Sequence, residues 1–208
     1  MKISGVSFGA GIIFCLVVFF SSSLRASDPL WLRNPVISPD GSEIVFTYMG
    51  DLYKVPSQGG RAIQLTSHAA RDYKAIWSDD GKYLAFASDR YGNDDVFLMG
   101  SEGGMPRRLS FHSAGDIPMA FTADNQGVYF SSSRLDHHLS AGYPGFSPEL
   151  YQVGISGGRP VQVLTTAVAA MNLSDDGSYF LFEDLKAFES EFRKHHVSSH
   201  ARDLWYCA

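Results

Sequence analysis

Apolar positions along this chain come in short runs, each set off by polar and glycine-rich stretches. The runs "SEIVF", "KYLAF" and "SYFLF" each follow a turn-forming tetrapeptide: "SPDG" at residues 38–41, and "SDDG" at residues 78–81 and again at 174–177. Runs this short, rich in β-branched and aromatic residues and bounded by turn residues, predict strands rather than helices. They are nearly all apolar instead of alternating, so they predict strands covered on both faces. In the tetrapeptide the Asp can accept a bond from the backbone ahead of it and the Gly supplies a positive φ, which predicts a tight turn.

Registering the chain on the tetrapeptide reveals an internal repeat. The units cover residues 34–68, 72–112, 116–166 and 169–208. An acid, an aliphatic and an aromatic residue recur as Asp51-Leu52-Tyr53, Asp95-Val96-Phe97, Glu149-Leu150-Tyr151 and Asp203-Leu204-Trp205. A glycine pair recurs at Gly59-Gly60, Gly103-Gly104 and Gly157-Gly158, and Leu65-Thr66, Leu109-Ser110 and Leu164-Thr165 close the units. Each unit predicts four strands. Strand a precedes the tetrapeptide (residues 36–38 and 75–78), and strand b follows it (44–48, 83–87, 128–131 and 179–182). Strand c carries the acid-aliphatic-aromatic anchor, and strand d ends at the Leu. In the first unit strand c alternates, Leu52-Tyr53-Lys54-Val55, as expected of a strand farther out in its sheet.

Four-stranded units of this length, stacked face to face, are blades of a β-propeller. Solenoid repeats are shorter, and a flat meander would leave the apolar b strands bare. The predicted fold is all-β: a β-propeller of four-stranded blades over residues 31–208, three complete and the fourth incomplete, forming a partial ring. Strand c of the fourth unit starts only at Asp203, and its glycine pair and closing Leu are not in the sequence, so the chain reads as the front part of a longer protein.

Composition narrows the picture further. The chain has 208 residues, 45% hydrophobic and 19% charged, enough for one domain with a sizeable core. A net charge of −5 with no basic cluster excludes nucleic acid as a partner. The N-terminus carries Lys2, an apolar stretch over residues 9–20, then small polar residues. This layout predicts a secretory signal peptide over residues 1–26, with cleavage after Ser23 or Ala26, and export to the periplasm. The stretch is short for a spanning helix, which needs about 20 residues. Phe14 before Cys15 excludes a lipoprotein site, and after cleavage Cys207 is the one remaining thiol.

The blade signature "SPDG…IVF", "DLYKVP", "GG" and "R-x-x-x-LT" resembles the WD-repeat-like blades of TolB and of tricorn-type serine peptidases. The segment "FEDLKAFESEFRKHHVSSHARDLW" at residues 182–205 resembles the corresponding blade of exported bacterial tricorn-type peptidases, and the likeness runs from about Trp31 to the end. It implies a ring of six or seven blades and a propeller that gates peptide access. It also implies PDZ-like and serine-peptidase domains downstream, so the remaining blades and those domains are expected partners. A second reading is a TolB-like periplasmic propeller that binds proteins without catalysis. A third is the propeller of a prolyl-oligopeptidase relative. No G-x-S-x-G elbow and no arguable triad occur in the sequence, so no catalytic residue is assigned.

Propeller topology puts the a–b and c–d turns at one end and the b–c and d–a loops at the other. The irregular segments all fall at the second end: b–c inserts at residues 133–149 and 183–202, together with all seven histidines. Inserts confined to one face mark the binding face. A peptide or unfolded polypeptide is the expected ligand there, with His137, His138, Arg193, His195, His196 and His200 as candidate contacts. Solvated histidines paired with acids such as Glu189 and Glu191 are the plainer reading. The His spacing meets no zinc pattern, "SDRYGNDD" meets no calcium pattern, and no metal or other cofactor is expected. Leu185, Phe188 and Phe192 fit either one amphipathic helical turn or a hairpin arm, and self-association into a homo-oligomer stays open.

Overall fold

The computed structural model describes residues 31–134, 148–174, 176–185 and 202–207. The leader predicted over residues 1–26 lies outside the described residues, as do most of both b–c inserts and the choice between helix and hairpin in the second.

The described strands form four antiparallel sheets. The first contains β1 (Arg33–Ile37), β2 (Glu43–Tyr48), β3 (Asp51–Pro56) and β4 (Ile63–Gln64), in that order. The second contains β5 (Asp72–Trp77), β6 (Tyr83–Ser88), β7 (Asp95–Gly100) and β8 (Gly103–Arg108). The third contains β9 (Asp116–Phe121), β10 (Gly127–Ser132), β11 (Glu149–Gly154) and β12 (Val161–Leu164). The fourth contains β13 (Val168–Leu173), β14 (Phe180–Asp184) and β15 (Leu204–Cys207). Spatial order follows sequence order in every sheet, which is the meander of a propeller blade. No helix occurs among the described residues.

The sheets stack face to face. Strand β5 packs on β1, β2 and β3; β9 packs on β5, β6 and β7; and β13 packs on β9. The first strands of all four sheets line one shared opening of about 400 Å³, through Ile37, Ile76, Met119 and Met171 among others. Innermost strands around a shared opening, with sheets radiating from it, make this an all-β propeller whose fourth sheet has three described strands.

Three apolar clusters hold the stack, one at each sheet–sheet interface. Val45 and Leu52 of the first sheet pack with Trp77, Leu84, Phe86, Phe97 and Met99 of the second. Ala85, Val96 and Leu98 of the second pack with Phe121, Val128, Phe130, Tyr151 and Val153 of the third. Leu150 of the third packs with Met171 and Phe182 of the fourth. The middle strands are therefore covered on both faces, which is why β6 and β10 carry hardly a polar residue before their ends.

The tetrapeptide forms the same turn four times. Asp40 Oδ1 accepts from Ser38 Oγ at 2.6 Å and from Ser42 N at 3.0 Å, and Gly41 sits at φ 73°. Ser78 and Asp80, Thr122 and Asp124, and Ser174 and Asp176 repeat the hydroxyl–carboxylate bond. The Ser38 bond, followed by the Ser42 bonds, lowers the Asp40 carboxyl to about 2; Lys82 and then Ser78 do the same for Asp80, also to about 2. In the third sheet Asn125 takes the glycine position at φ 56°, a conformation Asn tolerates best among residues with a Cβ. Gly81 stands at φ 69°, and no atom lies within 4 Å of a Cβ built there. Gly81→Ala is therefore expected to cost about 1–2 kcal/mol from backbone strain alone, while Gly81→Asn stays close to wild type. Urea unfolding of the two variants checks this, and equal losses would contradict it.

Two details depart from the sequence-based expectation. The a strands begin earlier than their apolar runs, at Arg33 and Asp72 instead of residues 36 and 75. Each carries a bulge there: the register jumps between Arg33 and Val36 and between Tyr73 and Ile76, with Asn34 and Lys74 at φ 48° and 50°. The extra residue breaks the alternation and hides the start of the strand. The second detail is Lys54. Strand β3 does alternate, but Lys54 shares the buried face with Leu52. Its ammonium lies 3.0 Å from Glu43 and 2.8 Å from Glu102 of the second sheet, so it bolts two blades together. Burial disfavours its charge, but the hydrogen bonds to Glu102 and Glu43 outweigh this and raise its pKa.

Candidate functional site

The predicted contacts His137, His138, Arg193, His195, His196 and His200 all lie outside the described residues. The two described histidines serve the d–a loops. His68 Nδ1 accepts from Ala70 N at 2.9 Å, and His112 Nδ1 accepts from Ala114 N at 3.1 Å, the same two-residue turn in successive blades. Each ring nitrogen that accepts a backbone N–H is committed to the loop. Among the described residues, no three His, Cys, Asp or Glu side chains come together as a metal site.

Ion pairs at this end were not read from the repeat. Asp72 opens β5 and Asp116 opens β9, and both are fully buried. Arg90 Nη2 donates to Asp72 Oδ2 at 2.6 Å, and Arg134 Nη2 donates to Asp116 Oδ2 at 2.7 Å. The Nε of each Arg reaches the serine two residues before it, Ser88 or Ser132. Each guanidinium also lies over aromatic rings: Arg90 over Phe97 at 5.4 Å, and Arg134 over Phe130 at 4.9 Å and Tyr151 at 4.8 Å. The signal was present as an Asp with an S-x-R eighteen residues on, twice. The fourth sheet reverses it: Val168 occupies the Asp position opposite Asp184, whose carboxylate accepts from Asp203 N at 2.7 Å and Trp205 Nε1 at 3.1 Å.

The acids of the c-strand anchor also hold structure. Asp95 is buried against Arg108 at 2.7 Å, and burial raises its pKa in spite of that pairing. Asp51 binds Gln64, Thr66 and the His68 backbone. In the b–c loop of the second blade, Tyr73 Oη donates to Asp94 Oδ2 at 2.9 Å, and burial together with that bond pushes the phenol up to about 12.

A cleft of about 720 Å³ opens at the end that carries the b–c and d–a loops. Lys74, His112 and Arg134 line it with Ser113, Ser131 and Ser133, and no described carboxylate does. Its floor is apolar, with Ile117, Val168 and Leu185. Arg134 and Pro148 flank the undescribed part of one insert and Leu185 leads into the other, so both inserts leave from the cleft's own lining. The opposite opening, beside the a–b turns, is lined by Ser38, Asp79, Asn172 and Ser174 as well as by apolar residues. The Lys74 ammonium and the serine hydroxyls over an apolar floor suit a ligand with acidic or carbonyl acceptors and an apolar side chain.

Comparison with known proteins gives the same architecture. The chain resembles the crystal structure of the tricorn protease, at TM-score 0.65 and 19% identity over 84% of this chain and 17% of that one. It resembles TolB from Acinetobacter baumannii at TM-score 0.60 and 18% identity, over 84% of this chain and 40% of that one. A prolyl endopeptidase structure matches at TM-score 0.54 and 17% identity, over 84% of this chain and 27% of that one. The chain thus spans well under half of each of these proteins, and the likeness to them is one of fold. No curated protein sequence matches it. The sequence model described as the tricorn protease N-terminal beta propeller domain matches residues 29–208, essentially everything after the predicted leader, and the chain belongs to that family.

Proposed function

We propose that this propeller is the peptide-admitting module of an exported tricorn-type serine peptidase, whose chemistry takes place in a domain outside these 208 residues. The observation that carries the reading is the departure of both inserts from the lining of one cleft that presents Lys74 and serine hydroxyls, with no carboxylate among the described lining residues. Peptide backbone carbonyls and terminal or side-chain carboxylates are the acceptors that Lys74 and the serines suit. The inserts would supply His137, His138, Arg193, His195, His196 and His200 as further contacts. The leader over residues 1–26 would carry the chain to the periplasm, where further blades and PDZ-like and peptidase domains of the parent protein complete the machine.

Fluorescence anisotropy with labelled unstructured peptides tests this. The expected result is saturable binding without cleavage, weakened about tenfold, roughly 1.4 kcal/mol, by Lys74→Glu. Absence of binding would overturn the reading. So would hydrolysis by the purified chain that a serine-directed inhibitor blocks, because the chemistry would then lie inside this chain.

A further inference from the structure

The loop between β8 and β9 forms one wall of the cleft: His112, Ser113, Ala114 and Gly115 are consecutive, and all four line it. Backbone bonds anchor the loop at both ends. Leu109 N donates to Val96 O at 2.7 Å, and Asp116 N donates to Asp94 O at 2.7 Å. Between those anchors two side chains hold it. Asn93 Nδ2 donates to His112 O at 2.8 Å and to Ala114 O at 3.0 Å. His112 Nδ1 accepts from Ala114 N at 3.1 Å and closes the loop on itself.

Asn93 holds the loop at any pH, but His112 does so in one protonation state only. A neutral imidazole that accepts at Nδ1 carries its proton on Nε2. The imidazolium carries a proton on both nitrogens and accepts at neither, so it would meet the Ala114 N–H donor to donor. The carboxylates described next to the loop are already engaged. Asp94 accepts from Tyr73 and pairs with Arg71, Asp95 pairs with Arg108, and Asp116 pairs with Arg134. The other charges around the loop are cationic: Lys74 of β5, Arg134 beyond β10, and Arg108 over Phe111. The fourth sheet contributes Val168, Ala169 and Leu185, which do not titrate. His68 makes the same turn in the previous blade, accepting from Ala70 N at 2.9 Å, but does not line the cleft.

We propose that His112 is a pH switch on this cleft. As the neutral imidazole it holds the wall of residues 112–115 in its binding shape; on protonation it releases that wall, and ligand affinity falls. The ligand is the one given by the peptide reading above, on which the affinity change rests, whereas the change in the loop itself does not depend on it.

Peptide anisotropy from about pH 8 to about pH 5 spans the range in which a histidine takes up its proton. An acetylated peptide without histidine keeps its own charge nearly constant over that range, and circular dichroism confirms that the fold persists. The wild-type chain is expected to bind about five- to tenfold more weakly at the acid end, the size of one lost hydrogen bond. His112→Asn puts an amide oxygen where Nδ1 stood, an acceptor at every pH. It is expected to bring the ratio of the two affinities near one, whatever its absolute affinity. His68→Asn is expected to keep the wild-type ratio. Hydrogen exchange of the Ala114 amide, corrected for the intrinsic rate at each pH, reads the loop without any ligand. Its protection is expected to fall in acid in the wild type and to hold in His112→Asn. A pH-independent wild-type affinity, acid sensitivity retained in His112→Asn, or tighter binding in acid would each overturn the switch. If no peptide binds at any pH, the peptide reading fails, and the Ala114 exchange alone decides the switch, with constant protection overturning it.

Discussion

Asp116→Ala is expected to cost about 3–5 kcal/mol, a large share of the stability of an ordinary domain. The carboxylate is fully buried where β9 begins, and the Arg134 side chain that pairs with it is only 12% exposed. Arg134 also lies between Ser132 and the rings of Phe130 and Tyr151, which hold it beside the carboxylate. Deleting the carboxylate leaves a guanidinium desolvated and uncompensated, and that residual charge, more than the lost attraction, sets the size of the effect. The backbone N–H of Asp116 donates to Asp94 O at 2.7 Å, so the site also ties the third blade to the second. The double variant Asp116→Leu with Arg134→Met is expected to recover most of the loss, because no charge then remains to be buried. Urea denaturation of wild type and both variants makes the measurement. A single-variant loss below about 1 kcal/mol would mean that the pair behaves as a solvated surface pair.

Phe130→Ala is expected to cost a similar 3–5 kcal/mol, whereas Phe46→Ala, at the same place in the repeat, costs much less. Phe130 is fully buried between the second and third blades, stacked on Tyr151 at 5.8 Å. Phe46 stacks on Tyr53 at 5.9 Å in the same register, but its face has no covering sheet and it is half-buried. The penalty for truncation combines lost transfer free energy with the cavity left behind, and only a covered ring leaves a cavity. Equal losses at low protein concentration would show that this face of the first blade is already covered.

Much of this architecture is written in local chemistry. The turn at Ser78-Asp79-Asp80-Gly81 closes through its own side chains and one left-handed residue, so sequence alone locates it and the strands on either side. The doubly apolar b strands announce that both faces are covered, and β6 and β10 are. The candidate site was legible only in outline. The end of the propeller that carries the inserts follows from strand order, but the cleft is assembled from Lys74, His112, Arg134 and Val168, which belong to three different blades. No window along the chain brings those residues together.

The same division holds for the charges. Repeat length, strand order, turn type and the identity of the c-strand anchor are decided within a few residues of one another, by φ preferences and the two-residue period of a strand. Which charges are buried is decided across blades. Lys54 looks like the solvent-facing residue of an alternating strand, yet it is buried because Glu102 arrives from the second sheet to meet it. Asp72 and Asp116 look like loop acids until Arg90 and Arg134 fold back over them. A buried charge needs a partner of opposite sign at close range, and stacked sheets supply that partner from positions that linear distance along the chain does not reveal.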